Sequence, residues 1–166
     1  MSLGSPIPTN LTPPMQIRSS EISRCGTDSC EGECGQEGCE PIPVVDILDN
    51  GIPFVTIHPD YDYNAGGYSN KVGGMDVLSA AYATTDGLGV GVTLGDMFQK
   101  CTGAEAWYSY HSGDFTVRCP AYPRMQFAFA AAAFVGDDGI LGMSDGDRLP
   151  QSTLDMNGRI IKVSIY

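Results

Sequence analysis

The sequence predicts a mainly-β fold, a small β-sandwich or jelly-roll-like domain preceded by an extended N-terminal arm and a cysteine-rich loop. Three observations lead to this prediction. Short runs of β-branched and aromatic residues recur along the chain, 21 glycines and 11 prolines separate them, and strands do not alternate regularly with helices. The 166 residues suffice for one domain with its own core. We therefore expect an arm over residues 1–24, a stapled loop over 25–43 and a β-domain over 44–166.

The N-terminal segment is predicted to be an arm because its composition offers little to bury. It combines Pro6, Pro8, Pro13 and Pro14 with serine, threonine and glycine. Segments of this type become ordered only when something holds them, so we expect contact with a neighbouring subunit. The alternative is that the tail folds back over its own domain. The segment has neither the positive start nor the apolar stretch of a secretion signal.

Four cysteines define the predicted loop: Cys25, Cys30, Cys34 and Cys39. Their spacing lacks the C-x2-C pair of structural zinc sites and differs from the plant-type iron–sulfur spacing. Four carboxylates in the same segment would also raise the energy of an anionic thiolate cluster. Disulfides are therefore favoured, whereas a zinc or iron–sulfur site and free thiols remain alternatives. Sequence alone does not choose among the three pairings of four cysteines.

Cys101 and Cys119 are candidates for a further disulfide, but the simplest hairpin opposes it. A two-residue turn at Ser112-Gly113 places Cys119 opposite Ala106, so that Cys101 lies on the order of 17 Å away along its strand. A disulfide requires Cα atoms within about 7 Å. Either the hairpin has a different loop, or each cysteine is a buried free thiol.

The strands of the β-domain follow from turn signals and alternation. Runs at 44–48 and 52–57 flank Asn50-Gly51, the strongest two-residue turn signal, and predict a hairpin. Residues 104–119 predict a second hairpin.

Other segments are less regular. Residues 58–74 are expected to form a long loop, and residues 87–91 a glycine-spaced apolar strand with close backbone packing. Residues 75–83 and 125–135 fit either a helix or a strand.

The chain closes with a predicted strand over 158–166 that lies inside a sheet. Ile161, Val163 and Ile165 are expected on one face, with Lys162 and Ser164 on the other.

Charge and composition indicate a non-enzymatic structural protein. The net charge of −11 opposes nucleic acid or an anionic membrane surface as a partner, and no apolar run reaches the length of a membrane-spanning helix. Surface charge is sparse, with only three lysines. By general character, although not by any motif, the chain resembles bacteriophage virion components such as head-decoration or cement proteins. The expected partners are copies of itself or a capsid lattice, in a virion or other extracellular assembly.

Tyr61, Tyr63 and Tyr68 are the predicted interaction residues. They alternate with acidic and amide side chains in a loop of the type used in recognition surfaces. A well-packed loop without a ligand is the alternative.

Four carboxylates, Asp137, Asp138, Asp145 and Asp147, lie close together in the sequence. They would supply the oxygen ligands that calcium prefers. Asp-Gly pairs are also common turn residues, which is the simpler interpretation.

His58, Asp60 and His111 have the order of the two-histidine, one-carboxylate iron site. With Arg118 or Arg124 downstream, they resemble the iron- and 2-oxoglutarate-dependent oxygenases. The resemblance implies Fe(II) bound by these three side chains on a jelly-roll. It is limited to those residues, so an oxygenase-like domain is an alternative to the structural role.

Overall fold

The computed structural model describes residues 1–23, 41–109, 114–135 and 146–166. The prediction of a small, mainly-β fold is confirmed. The elements of the described residues are, in chain order, β1 Met15–Ser23, β2 Pro41–Asp49, β3 Ile52–Asp62, β4 Gly67–Val77, α1 Leu94–Lys100, β5 Glu105–Ser109, β6 Asp114–Arg118, β7 Met125–Phe129, β8 Arg148–Leu149 and β9 Ile160–Ile165. All strands belong to one antiparallel sheet in the order β1-β2-β3-β4-β9-β7-β6-β5-β8.

The hairpin predicted around Asn50-Gly51 is confirmed. Asn50 has φ 51° and Gly51 has φ 83°, so both turn residues adopt the left-handed region that a two-residue hairpin turn of this hand requires. The turn joins β2 to β3, and Val45 pairs with Ile57 at the far end of the ladder.

The prediction of a loop over 58–74 is wrong. β3 continues to Asp62 and β4 begins at Gly67, so most of the segment is paired strand. Proline and glycine, which indicate loops in sequence, here occupy irregular positions of a ladder whose register shifts at Pro59. Gly73 permits close approach of the two strands, because a Cβ there would lie 2.7 Å from the Cα of Asp60. Residues 75–83, whose sequence fits either a helix or a strand, form the end of β4 followed by irregular chain.

The N-terminal segment packs on its own domain. β1 pairs with β2 along its whole length, from Met15 opposite Asp49 to Ser23 opposite Pro41. Residues 4–7 add backbone hydrogen bonds to the edge of β4, and Leu3, Ile7 and Leu11 pack against the core under β2 to β4. The alternative that the sequence left open, a tail folded back over its own domain, is the arrangement that the structure shows.

Cys101 and Cys119 form a disulfide, with Cα atoms 5.9 Å apart. The register expected from a two-residue turn at Ser112-Gly113 is wrong, because Ser109 pairs with Asp114. The turn residues themselves lie outside the described residues. This register brings Cys119 opposite Ala104 rather than Ala106. A turn then closes the remaining gap, since the N–H of Ala104 donates to the carbonyl of Cys101.

The segment 125–135 contains both of the structures that its sequence fits. It begins as strand β7 and continues into a 3₁₀ turn over Ala131–Ala133. The segment 87–91 is not a strand, but its close packing is real: a Cβ on Gly89 would lie 2.6 Å from the carbonyl oxygen of Tyr82.

β9 lies inside the sheet between β4 and β7, as predicted. The expected facing of its side chains is wrong at one position. A register shift pairs Ala128 with Lys162 but Phe129 with Ile160, so Ile161 is the extra residue of a bulge. Ile160 is consequently buried, whereas Ile161 is 50% exposed.

The buried hydrophobic residues include two clusters. The larger cluster packs α1, through Leu94 and Met97, against strands β5, β6, β7 and β9. The smaller cluster lies under β2 to β4 and is covered by the N-terminal segment. Thr93 caps α1, because its hydroxyl accepts a hydrogen bond from the N–H of Asp96. No helix in the described ranges is both long enough and apolar enough to span a bilayer.

Candidate functional site

The three predicted interaction tyrosines come together at the end of the β3–β4 hairpin, which we call the tyrosine tip (residues 60–68). Tyr61 and Tyr68 are direct cross-strand partners. Their ring centroids are 5.1 Å apart in an edge-to-face arrangement, and Tyr63 makes a similar contact 5.0 Å from Tyr61. Tyr63 is nevertheless 89% exposed. The tip therefore presents the ring of Tyr63 to solvent, where contact with the ring of Tyr61 restricts its position.

Asp62 organises the turn below these rings. Its carboxylate accepts hydrogen bonds from the N–H groups of Asn64 and Ala65, at 2.9 and 3.1 Å. Its carbonyl accepts a third from Gly66, whose φ of 66° completes the turn. The exposed Asp60 adds a second carboxylate, so the tip combines a hydrogen-bonded turn with acidic charge.

A line of polar residues crosses eight strands of the sheet. We call this line the polar row. Each member is the cross-strand partner of the next, and partners share a face of the sheet. In spatial order the row is Arg18, Asp46, Thr56, Asp76, Ser164, Gln126, Arg118 and Glu105. Sequence reasoning missed it, because its members are scattered over the chain and only the strand order aligns them.

Asp76 is the centre of the row. One carboxylate oxygen lies 3.1 Å from His58 Nε2, the other accepts a hydrogen bond from the hydroxyl of Ser164, and Lys162 Nζ is 3.9 Å away. Burial by itself would raise the pKa of Asp76. The hydrogen bonds with His58 and Ser164, together with the charge of Lys162, outweigh burial and hold the pKa below its ordinary value of 3.8.

The order of these groups is not that of a hydrolytic triad. In a triad the histidine lies between the serine and the carboxylate, where it can take the serine proton. Here the carboxylate of Asp76 lies between Ser164 and His58. The cluster therefore ties β3, β4 and β9 together and gives Ser164 no imidazole base.

A second buried carboxylate is satisfied in the same way. Asp46 is 7% exposed, yet Arg18 donates to one of its oxygens through two nitrogens and Thr56 donates to the other at 2.7 Å. A buried charge with complete pairing of this kind stabilises the local arrangement of strands β1 to β3.

The far end of the row carries exposed positive charge. Arg118 and Arg148 each place a guanidinium 5.1 Å from the centre of the Trp107 ring, and Arg148 also forms an ion pair with Glu105 at 2.7 Å. Stacking of this kind holds the two guanidinium groups in place while leaving them accessible.

A small, partly open pocket of about 110 Å³ lies beside the core. It lies where β4, β9 and β7 meet, and its lining includes Val77, Leu88, Met125 and Val163. It is well below the size of a site for a drug-sized ligand.

The remaining predicted sites fall largely outside the described residues. Those residues include neither the cysteine cluster Cys25, Cys30, Cys34 and Cys39, nor His111, Asp137, Asp138 and Asp145. Of the proposed iron ligands, His58 contacts Asp76 on the neighbouring strand, and Asp60 is exposed at the tip. Within the ranges that the structure describes, no three His, Cys, Asp or Glu side chains are grouped to hold a metal ion.

The fold and these surfaces define a single-sheet antiparallel β protein with a tyrosine-bearing hairpin. Comparison with protein families and with curated proteins finds no match. Among solved structures, the chain is similar to the uncharacterized protein yfeY from Escherichia coli, with 15% sequence identity and a TM-score of 0.53. The similarity covers 90% of this chain and 80% of that one, and at this identity it shows the fold alone.

Proposed function

We propose that this chain is a non-enzymatic structural protein that binds neighbouring copies of itself through the tyrosine tip. The observation that carries the proposal is Tyr63, which is almost fully exposed but restrained by Tyr61. Tyrosine is enriched in protein interfaces because it offers a large contact area at a low cost in side-chain entropy. A ring that is already restrained loses still less freedom when a partner covers it.

Charge supports a copy of the chain as the partner. The tip is acidic through Asp60 and Asp62, so it fits a surface that presents cations. The chain offers such a surface at Arg118 and Arg148, whose guanidinium groups are held on Trp107. Contacts between the two surfaces would weaken as salt is added.

The chemistry of the polar row also supports a structural role. Both oxygens of Asp76 and of Asp46 are engaged by neighbouring side chains, so these carboxylates act as cross-strand ties. In its finer form the proposal is a virion component, such as a head-decoration or cement protein. The Cys101–Cys119 disulfide supports a site outside reducing cytosol.

Sedimentation velocity over a range of protein concentrations tests the proposal. We expect the native chain to associate as its concentration rises, and Tyr63→Ser to weaken association by at least about tenfold, as for an interface hot spot. Ile52→Ser is the matched control, because Ile52 is 70% exposed at the other hairpin turn of β3. A native chain that stays monomeric, or an equal effect of the two variants, would contradict the proposal.

A further inference from the structure

The sheet edges differ in how they are protected against pairing with another strand. An exposed strand edge carries unpaired N–H and C=O groups, and proteins normally shorten, cover or interrupt it. β8 is only two residues long. Next to it, the N–H of Tyr108 on β5 donates to the carbonyl of Asp147, so the chain around β8 also covers the edge of β5.

The long β4 edge is covered as well. β4 pairs with β9 only over Met75–Val77, which leaves its first part without a strand partner on that side. The N-terminal segment covers this part: Gly4 and Ile7 donate N–H groups to β4 carbonyls, and Val72 donates back to Ser5.

Prolines interrupt β2 and β3 at the ends that lie furthest from the turn joining them. The ladder between these strands stops at Val45 and Ile57. Beyond this point β2 contains Pro41 and Pro43, and β3 contains Pro59, which lack the N–H that a further strand would need.

Among the residues that the structure describes, β1 has none of these protections. Its nine residues pair with β2 in an uninterrupted register, without proline, lysine or a bulge. In the part of the chain that the structure describes, its other edge pairs with no strand. Ile22 on this strand is 42% exposed.

We propose that the free edge of β1 pairs with β1 of a second copy, antiparallel and about a two-fold axis, so that the two sheets become continuous. An axis perpendicular to the sheet makes the two identical strands antiparallel, and each copy then uses the same surface. This inference rests on the proposed function, since it names a second surface by which copies assemble.

Local charge favours a second copy as the occupant. The chain carries a net charge of −11, but β1 contains one arginine and one glutamate and is locally neutral. If the two-fold axis passes through Ser19 or Ser20, neither Arg18 nor Glu21 lies directly opposite the same residue of the second copy. Arg18 is further neutralised by Asp46, 2.6 Å away. Two copies of this acidic chain therefore meet along β1 without placing like charges directly opposite each other.

Hydrogen exchange followed by mass spectrometry tests the edge directly. We expect amides of 15–23 to exchange at least about tenfold more slowly at a protein concentration where the chain is associated than where it is monomeric. Amides of β9 are the internal control, because β9 is paired on both sides at either concentration.

Two proline variants provide a second test of pairing at the β1 edge. Successive residues of a strand point their N–H groups to opposite edges, so only one of Ser19→Pro and Ser20→Pro removes an outward N–H. The variant that retains more of the native thermal stability identifies the outward position. We expect that variant to weaken association by at least about tenfold.

The outcomes separate this inference from the proposed function. Association that Tyr63→Ser abolishes, without slower exchange in 15–23, would overturn β1 pairing and leave the tyrosine tip as the interface. Association that persists unchanged in both proline variants would also overturn β1 pairing. Slower exchange together with the loss in the outward proline variant supports it. A native chain that never associates would overturn both proposals.

Discussion

Removing the Cys101–Cys119 disulfide should lower the free energy of unfolding by about 3 kcal/mol. The bond joins residues 18 apart in sequence, and closing a loop of that size in the unfolded chain removes about 11 cal/mol/K of entropy, or about 3.2 kcal/mol at 25 °C. For a chain of this length, that corresponds to a fall in Tm of roughly 6 to 12 °C. The bond links the end of α1 to the end of β6, so unfolding followed by circular dichroism reports on both.

A double-mutant cycle isolates the bond from the packing of the two sulfur atoms. Cys101 and Cys119 are both buried, so Cys101→Ala and Cys119→Ala each also lose some packing. Each single variant already breaks the disulfide completely. The sum of the two single effects therefore counts the loss of the bond twice, whereas the double variant loses it once. We therefore expect a coupling of about 3 kcal/mol between the two sites. Effects of the single variants that simply add in the double variant would refute the reasoning, because they would show that the two sulfurs are not joined.

Two further predictions concern the polar row and the core. Asp76→Asn should cost about 1 to 3 kcal/mol near neutral pH, because it weakens the hydrogen bonds with His58 and Ser164. The pKa of Asp76 is below 3.8, so its contribution is present above that value and is lost as pH falls through the folded-state pKa. Urea unfolding at a series of pH values should show the difference between native and variant shrinking in acid, and an unchanged gap would contradict this assignment. Gly158→Ala should destabilise the fold by about 1 to 3 kcal/mol, since the new Cβ would lie 2.4 Å from that of Ala133. Thermal unfolding should show partial recovery when Ala133→Gly is added, and an absence of recovery would assign the cost to another contact.

Local patterns predicted the elements whose structure depends on neighbouring residues. Asn50-Gly51 specified a hairpin because few residue pairs adopt two left-handed conformations in succession. The alternation of the C-terminal segment specified β9, but it did not reveal the bulge that turns Ile161 outwards. That bulge depends on how β7 pairs with it, which is information carried by a distant part of the chain.

The segments whose local sequence predicts the wrong structure share one cause, which is pairing with a distant part of the chain. Pro59 and Gly73 resemble loop residues, but their positions in the β3–β4 ladder serve a register shift and a close approach of strands. The sequence leaves the disulfide open for a related reason, since the bond depends on a β5–β6 register that the Ser112-Gly113 pair does not indicate.

The sequence by itself determined the mainly-β class, the first hairpin, the interior position of the last strand and the three tyrosines as candidate contact residues. These features follow from alternation, turn chemistry and composition, which act over a few residues. Only the tertiary structure decided the order of the strands, and with it the polar row, in which Asp76 and Ser164 are partners across 88 residues of sequence. Within the described ranges, the same order decided which strand edges are covered and which has no strand partner. Strand order depends on the packing and hydrogen bonding of the whole sheet at once, and no local pattern in the sequence records it.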